Sequence, residues 1–105
     1  MAVEFSKVDD LLVVAPTGEI DHHETKEIRE EIDEMILSTL PKKIAFDLSR
    51  TTFMDSSGLG LILGRFNKVS ALGIQMELVN PGEKIMRIIT MAGVDKIIKV
   101  KGVEK

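Results

Sequence analysis

The chain alternates between segments with the two-residue period of a strand and segments with the 3.6-residue period of a helix. The alternation begins after an opening hairpin, in which residues 3–6 and 11–15 read as strands on either side of a polar turn. Residues 11–15 are continuously apolar, which predicts a strand buried on both faces. This pattern predicts an α/β fold, with a mixed, mostly parallel sheet and amphipathic helices.

The 105 residues suit a single domain, so we expect residues 1–105 to form one folding unit. After the hairpin we predict a helix with apolar positions from Ile28 to Ile36, a strand at 44–48, a helix from Leu59 to Val69, a strand at 74–78, a helix from Ile85 to Ala92 and a strand at 97–100. Asp21 and Glu24 fit a capping box, which predicts that the first helix begins just after Asp21.

Charge and composition exclude several classes of protein. The net charge is −3 and there is no cysteine, so nucleic-acid binding, disulfides and thiolate metal sites are not expected. The N-terminus does not read as a signal peptide, and the longest apolar run, 11–16, is far too short to span a membrane. We therefore expect a cytoplasmic protein, and no feature indicates an obligate dimer, so we expect a monomer.

The segment Phe53–Gly60 places a carboxylate and two serines directly before a predicted helix. Such a pattern is typical of simple helix capping, because Asp and Ser are favoured N-cap residues. If Asp55 is the cap, Ser56 lies near the rim of the helix start and Ser57 lies deeper. The free N–H groups of a helix start also leave open an alternative, a small nucleotide-binding protein or weak NTPase that uses the 55–60 loop. The lysine of a phosphate-binding P-loop is missing, which argues against it.

Three segments carry a resemblance to a known family. Residues 54–60, continuing through 62–66, resemble the phosphorylation-site motif of bacterial anti-sigma factor antagonists, which belong to the STAS family. Residues 18–23 resemble a second segment of that family, and residues 91–98 resemble a third. The sequence is most similar to the branch that serves a sporulation-type sigma factor, and the resemblance implies a single STAS-like domain over the whole chain.

The resemblance implies a regulatory protein that is not an enzyme and binds no cofactor. Its unphosphorylated form would bind an anti-sigma factor that is also a serine kinase, and so release the sigma factor. The kinase would phosphorylate Ser56 and inactivate the protein, and a PP2C-type phosphatase would restore it. The partner-binding residues implied are Asp21, Met54, Asp55, Ser57, Gly58 and Arg65. A third interpretation keeps the fold but makes the domain a subunit of a larger signalling scaffold.

Several of these residues carry expectations about their environment. We expect Met54 to be a partly exposed apolar anchor and Arg65 to lie on the solvated face of the second helix. Gly58, nearest to Ser56, is expected to give a partner access, whereas Gly64 is expected to serve packing. Asp21, His22 and His23 could in principle hold a metal, but the sequence has no further His or Cys to complete a zinc site, so we expect none.

Overall fold

The opening hairpin consists of β1 (Ala2–Val8) and β2 (Leu11–Ile20), which pair antiparallel. Asp9 occupies the turn with a φ of 54°, a left-handed conformation that aspartate tolerates better than most residues. The structure is a computed structural model that describes residues 2–102. The prediction of an opening hairpin is therefore confirmed.

Helices and strands then alternate along the chain. The remaining elements are α1 (Thr25–Thr39), β3 (Lys43–Asp47), β4 (Thr51–Met54), α2 (Ser56–Ala71), β5 (Gln75–Val79), α3 (Glu83–Met91), a single 3-10 turn (Val94–Lys96) and β6 (Val100–Lys101). The main sheet has the order β1-β2-β3-β5-β6, and β4 pairs with the far end of β2. Every pairing after the hairpin is parallel, which confirms the mixed, mostly parallel sheet.

The prediction that β2 is buried on both faces is wrong. Leu12 and Val14 are fully buried, but Val13 between them is half-buried, and the same alternation runs along the strand. Leu12 lies beside Ile44 of β3, and both belong to the core that the helices complete. The sheet is thus one-sided, with the helices on one face only. No helix among residues 2–102 has the length and apolar character needed to cross a membrane.

The first helix begins later than predicted, at Thr25 instead of just after Asp21. The Asp21 carboxylate accepts a hydrogen bond from the backbone N–H of His23, 3.0 Å away, and so closes a local turn that precedes the helix. Residue 24 then takes the N-cap position that we predicted for Asp21. Aspartate can serve an isolated turn as well as a helix end, because both use its carboxylate as a backbone mimic.

Two short strands also differ from expectation. Residues 51–54 form β4, a strand that the sequence analysis did not predict, and the last strand is confined to residues 100–101 instead of 97–100. Ile98 is fully buried, in the segment between the 3-10 turn and β6. Ile97 is exposed, so of these two apolar residues only Ile98 contributes to the core, and neither takes part in strand pairing.

Candidate functional site at the start of helix α2

Asp55 caps α2, which was one of the possibilities that the sequence left open. Its Oδ1 accepts hydrogen bonds from the backbone N–H groups of Ser57, at 2.9 Å, and Gly58, at 3.2 Å. These are two of the N–H groups that a helix start otherwise leaves without a partner. Two of the N–H groups that a nucleotide phosphate could use are therefore already engaged by Asp55, which argues against the nucleotide-binding alternative.

The two serines occupy different environments. Ser56 is the first residue of α2 and is exposed, whereas Ser57 is half-buried and faces α1. The N-cap hydrogen bonds come from the side chain of Asp55, so helix capping does not depend on the hydroxyl of Ser56. An exposed hydroxyl at the rim of a helix is open to a modifying enzyme, which favours Ser56 over its neighbour.

The structure brings the Asp21 turn beside the serines. β2 and β4 run parallel and in register at their ends, where Ile20 lies opposite Met54. The backbone N–H of Asp55 donates to the carbonyl of Ile20 over 3.3 Å, so the chain leaves both strands at the same edge of the sheet. The segments around Asp21 and Ser56 are distant in sequence, but they begin next to each other in space.

Met54 is not an exposed anchor, so that expectation is wrong. Its side chain is only 1% exposed, because β4 turns it toward Ile20 and the core. Alternation along the strand turns Phe53 outward instead, where it is 37% exposed. The Lys84 ammonium of α3 lies 5.3 Å from the centre of the Phe53 ring, within range of a cation–π interaction. The apolar surface near the serines therefore belongs to Phe53.

The expected roles of Gly58 and Gly64 are reversed. A methyl group at Gly58 would lie 2.8 Å from Cβ of Met54 and 3.1 Å from the carbonyl oxygen of Ile20, so this glycine serves packing against β2 and β4. A methyl group at Gly60 or Gly64 would meet nothing within 4 Å. The accessible glycines of α2 are thus Gly60 and Gly64.

Arg65 does not lie on a solvated face, which corrects a further expectation. Its side chain is 11% exposed, and its Nε lies 3.0 Å from Oδ1 of Asp33 on α1 in an ionic contact. Lys68 reaches the other carboxylate oxygen at 3.2 Å. Burial lowers the pKa of the Arg65 guanidinium, an effect that Asp33 opposes and Arg29 reinforces. Arg65 therefore joins α2 to α1 and is not a freely offered contact.

An open groove of about 350 Å³ runs between α1 and α2 next to Ser57, and the sequence analysis did not identify it. The residues that line it are Thr25, Arg29, Ser57, Gly60, Leu61, Gly64 and Arg65. Gly60 and Gly64 could have indicated this groove from the sequence, because a spacing of four residues places them on one side of a helix. Among residues 2–102, no cluster of three His, Asp or Glu side chains is placed to hold a metal ion.

Comparison with known proteins assigns this chain to a family. The model of the STAS domain matches residues 2–105. The anti-sigma F factor antagonist of Paenibacillus polymyxa is 33% identical over 100 residues, which cover 95% of this chain and 86% of the relative.

Solved structures agree with this relationship. The anti-sigma factor antagonist SpoIIAA in its unphosphorylated form has a TM-score of 0.80 and 30% identity, over 94% of this chain and 87% of that one. The Bacillus cell fate determinant SpoIIAA in its phosphorylated form has a TM-score of 0.72 and 29% identity, over 94% and 90%. Sequence and fold together show that this chain belongs to the STAS domain family, and that its relatives include sporulation-type anti-sigma factor antagonists.

Proposed function

We propose that this protein is an anti-sigma factor antagonist controlled by phosphorylation of Ser56. Its unphosphorylated form binds an anti-sigma factor that is also a serine kinase, and this binding frees the sigma factor. The kinase phosphorylates Ser56, and a PP2C-type phosphatase removes the phosphate. The protein acts in the cytoplasm as a monomeric binding partner and not as an enzyme. Its similarity to antagonists, including one with structures in both phosphorylation states, supports this function.

The proposal rests on one observation: the residue that caps the helix and the residue that can be modified are different, adjacent residues. Asp55 accepts the capping hydrogen bonds of α2, and the neighbouring Ser56 is exposed at the helix rim. A phosphate can therefore be added without removing a bond that holds the helix. The dipole of α2 is positive at this end, which offsets part of the repulsion between the phosphate and Asp55.

The switch then acts at the interface with the partner. A phosphoserine carries a charge of about −1.5 to −2 at pH 7. A partner surface that fits the neutral hydroxyl would have to desolvate this dianion or be repelled by it. A loss of about 3 kcal/mol would weaken binding roughly 150-fold, enough to end the complex at modest concentrations.

The first experiment measures phosphate incorporation by the purified cognate anti-sigma factor with labelled ATP. We expect Ser56→Ala to abolish incorporation and Ser57→Ala, the matched control, to retain it. Equal incorporation into Ser56→Ala and the wild type would overturn the assignment of the site. A wild type that neither binds this factor nor accepts phosphate from it would overturn the proposed function.

A further inference from the structure

The groove between α1 and α2, hereafter the arginine groove, is lined by two arginines, Arg29 and Arg65, and by none of the acidic residues that the structure describes. Lys68 adds a third cation next to it, and Asp33 is the carboxylate that pairs with Arg65 and Lys68. Arg29 is exposed and forms no ion pair with any of residues 2–102. The cluster therefore carries a net charge of about +2, in a chain whose net charge is −3.

The like charges in this cluster are close enough to affect one another. Both arginines line the groove, and the pKa of Arg65 is lowered mainly by burial and further by the like charge of Arg29. Asp33 offsets the charge of Arg65 through an ionic contact that is not a hydrogen bond, whereas Arg29 lines the groove and is exposed to solvent. An anionic group in the groove would relieve that repulsion, because it would lie near both cations.

The walls of the groove suit a segment of another protein. The backbone of α2 is open at Gly60 and Gly64, where an added methyl group would contact nothing within 4 Å. Ser57 contributes a hydroxyl group from α2 and Leu61 an apolar side chain, while the Thr25 hydroxyl of α1 already donates to the carbonyl of His22 at 3.4 Å. A partner segment can therefore approach the helix closely, and the Arg29 guanidinium and the Ser57 hydroxyl can donate hydrogen bonds to its polar groups.

We propose that the arginine groove seats an acidic segment of the partner protein, with an Asp or Glu side chain bound to Arg29. This inference rests on the proposed function, which identifies the partner as the anti-sigma factor. Arginine favours carboxylates because its planar group can donate two parallel hydrogen bonds. The groove also adjoins the switch, since Ser57 lines it and Ser56 precedes Ser57 on the same helix turn. A phosphate on Ser56 therefore lowers the positive potential that attracts the acidic segment.

The test measures the dissociation constant of the purified cognate anti-sigma factor by titration calorimetry. We expect Arg29→Glu to weaken binding by about tenfold or more, Arg29→Ala by less, and Arg29→Lys least. Arg87→Glu is the matched control, because Arg87 is an exposed helical arginine on α3 and does not line the groove. It should change the dissociation constant by less than about twofold. Changing the partner's acidic residue to Arg should restore binding to Arg29→Glu.

The outcomes separate this inference from the proposed function. If the wild type binds the anti-sigma factor and Arg29→Glu binds it equally well, the groove does not bind an acidic segment of the partner, and the proposed function stands. If the wild type does not bind at all, the proposed function itself fails. A second arm titrates inorganic phosphate and ATP while the amide signals of Gly60 and Gly64 are followed by NMR. Saturation below millimolar concentration that is lost in Arg29→Ala would reassign the groove to a small anion.

Discussion

Gly58 lies where the start of α2 meets the ends of β2 and β4. We expect Gly58→Ala to destabilise the protein by up to about 2 kcal/mol, because an overpacking cost of about 1–3 kcal/mol is only partly offset by a gain of about 1 kcal/mol in helix propensity. The strain arises from Cβ of Met54, 2.8 Å from the added methyl group, and from the Ile20 carbonyl at 3.1 Å. Urea denaturation monitored by circular dichroism measures the change.

Gly60→Ala provides the matched control within the same helix. Its added methyl group meets nothing within 4 Å, so helix propensity acts alone and should stabilise the protein by about 0.5–1 kcal/mol. Opposite signs for the two substitutions are the expected result. Equal changes in the free energy of unfolding would show that Gly58 is not held against β2 and β4.

For single residues, the sequence predicted which residue types matter at the site better than it predicted whether each side chain faces the core. Asp55 was identified as the cap because a carboxylate before a helix start has one favoured role. Met54 was wrongly expected to be the exposed apolar residue in place of Phe53, because both are apolar and only the pairing of β4 with β2 decides which one faces the core. The same holds for Gly58 and Gly64, whose neighbours come from other elements.

Helices α1 and α2 are joined by the contacts of one carboxylate with two cations. Asp33 lies 3.0 Å from Arg65 and 3.2 Å from Lys68, and Arg65 is largely buried. We expect Asp33→Ala to destabilise the protein by about 2–3 kcal/mol, since it leaves a largely buried cation without its partner. Thermal denaturation should show a clear fall in Tm.

Glu83→Ala is the control for this ion pair. Glu83 and Arg87 form an exposed pair one helical turn apart on α3, and such pairs contribute about 0.5 kcal/mol or less. The two substitutions remove the same kind of charge from environments that differ in burial. If Asp33→Ala were as mild as Glu83→Ala, the contact between α1 and α2 would not depend on the ion pair.

Among the elements, the helices and the five-residue strands β3 and β5 were predicted, whereas the shortest strands were missed or misplaced. α2 covers its predicted positions and α3 covers all but Ala92, its C-cap, because their apolar residues repeat over several turns. The four-residue β4 and the two-residue β6 offer too few positions to show a period, and their strands exist because β2 and β5 provide edges to pair with. The contact between Asp33 and Arg65 depends on helix packing, so no local pattern could reveal it.

The face of the sheet opposite the helices carries its own ionic cluster. Glu77 of β5 is largely buried and lies 3.1 Å from Lys43 of β3 and 3.4 Å from Lys101 of β6. Burial raises the pKa of Glu77, but hydrogen bonds and charge from the two lysines outweigh it and hold the pKa below 4.5. One carboxylate thus joins three parallel strands of the main sheet.

This cluster predicts a pH dependence of the stability of the whole domain. Because the folded protein binds the Glu77 proton less tightly than the unfolded chain, the cluster stabilises the fold above pH 4.5 and loses that effect as the pH falls below it. Glu77→Gln should therefore cost about 1–2 kcal/mol at neutral pH and progressively less in acid. Urea denaturation at neutral and acidic pH measures this, and a constant difference between the two proteins would contradict it.

The division of tasks between Asp55 and Ser56 has a consequence for how the protein is used over time. Under the proposed function, the carboxylate holds the helix whichever chemical state Ser56 is in, so we expect the fold to persist through modification. The same copy would then serve many cycles of phosphorylation and dephosphorylation without being refolded or replaced between them. Such control would consume ATP at each cycle but no newly made protein, so its speed would be set by the kinase and the phosphatase and not by synthesis.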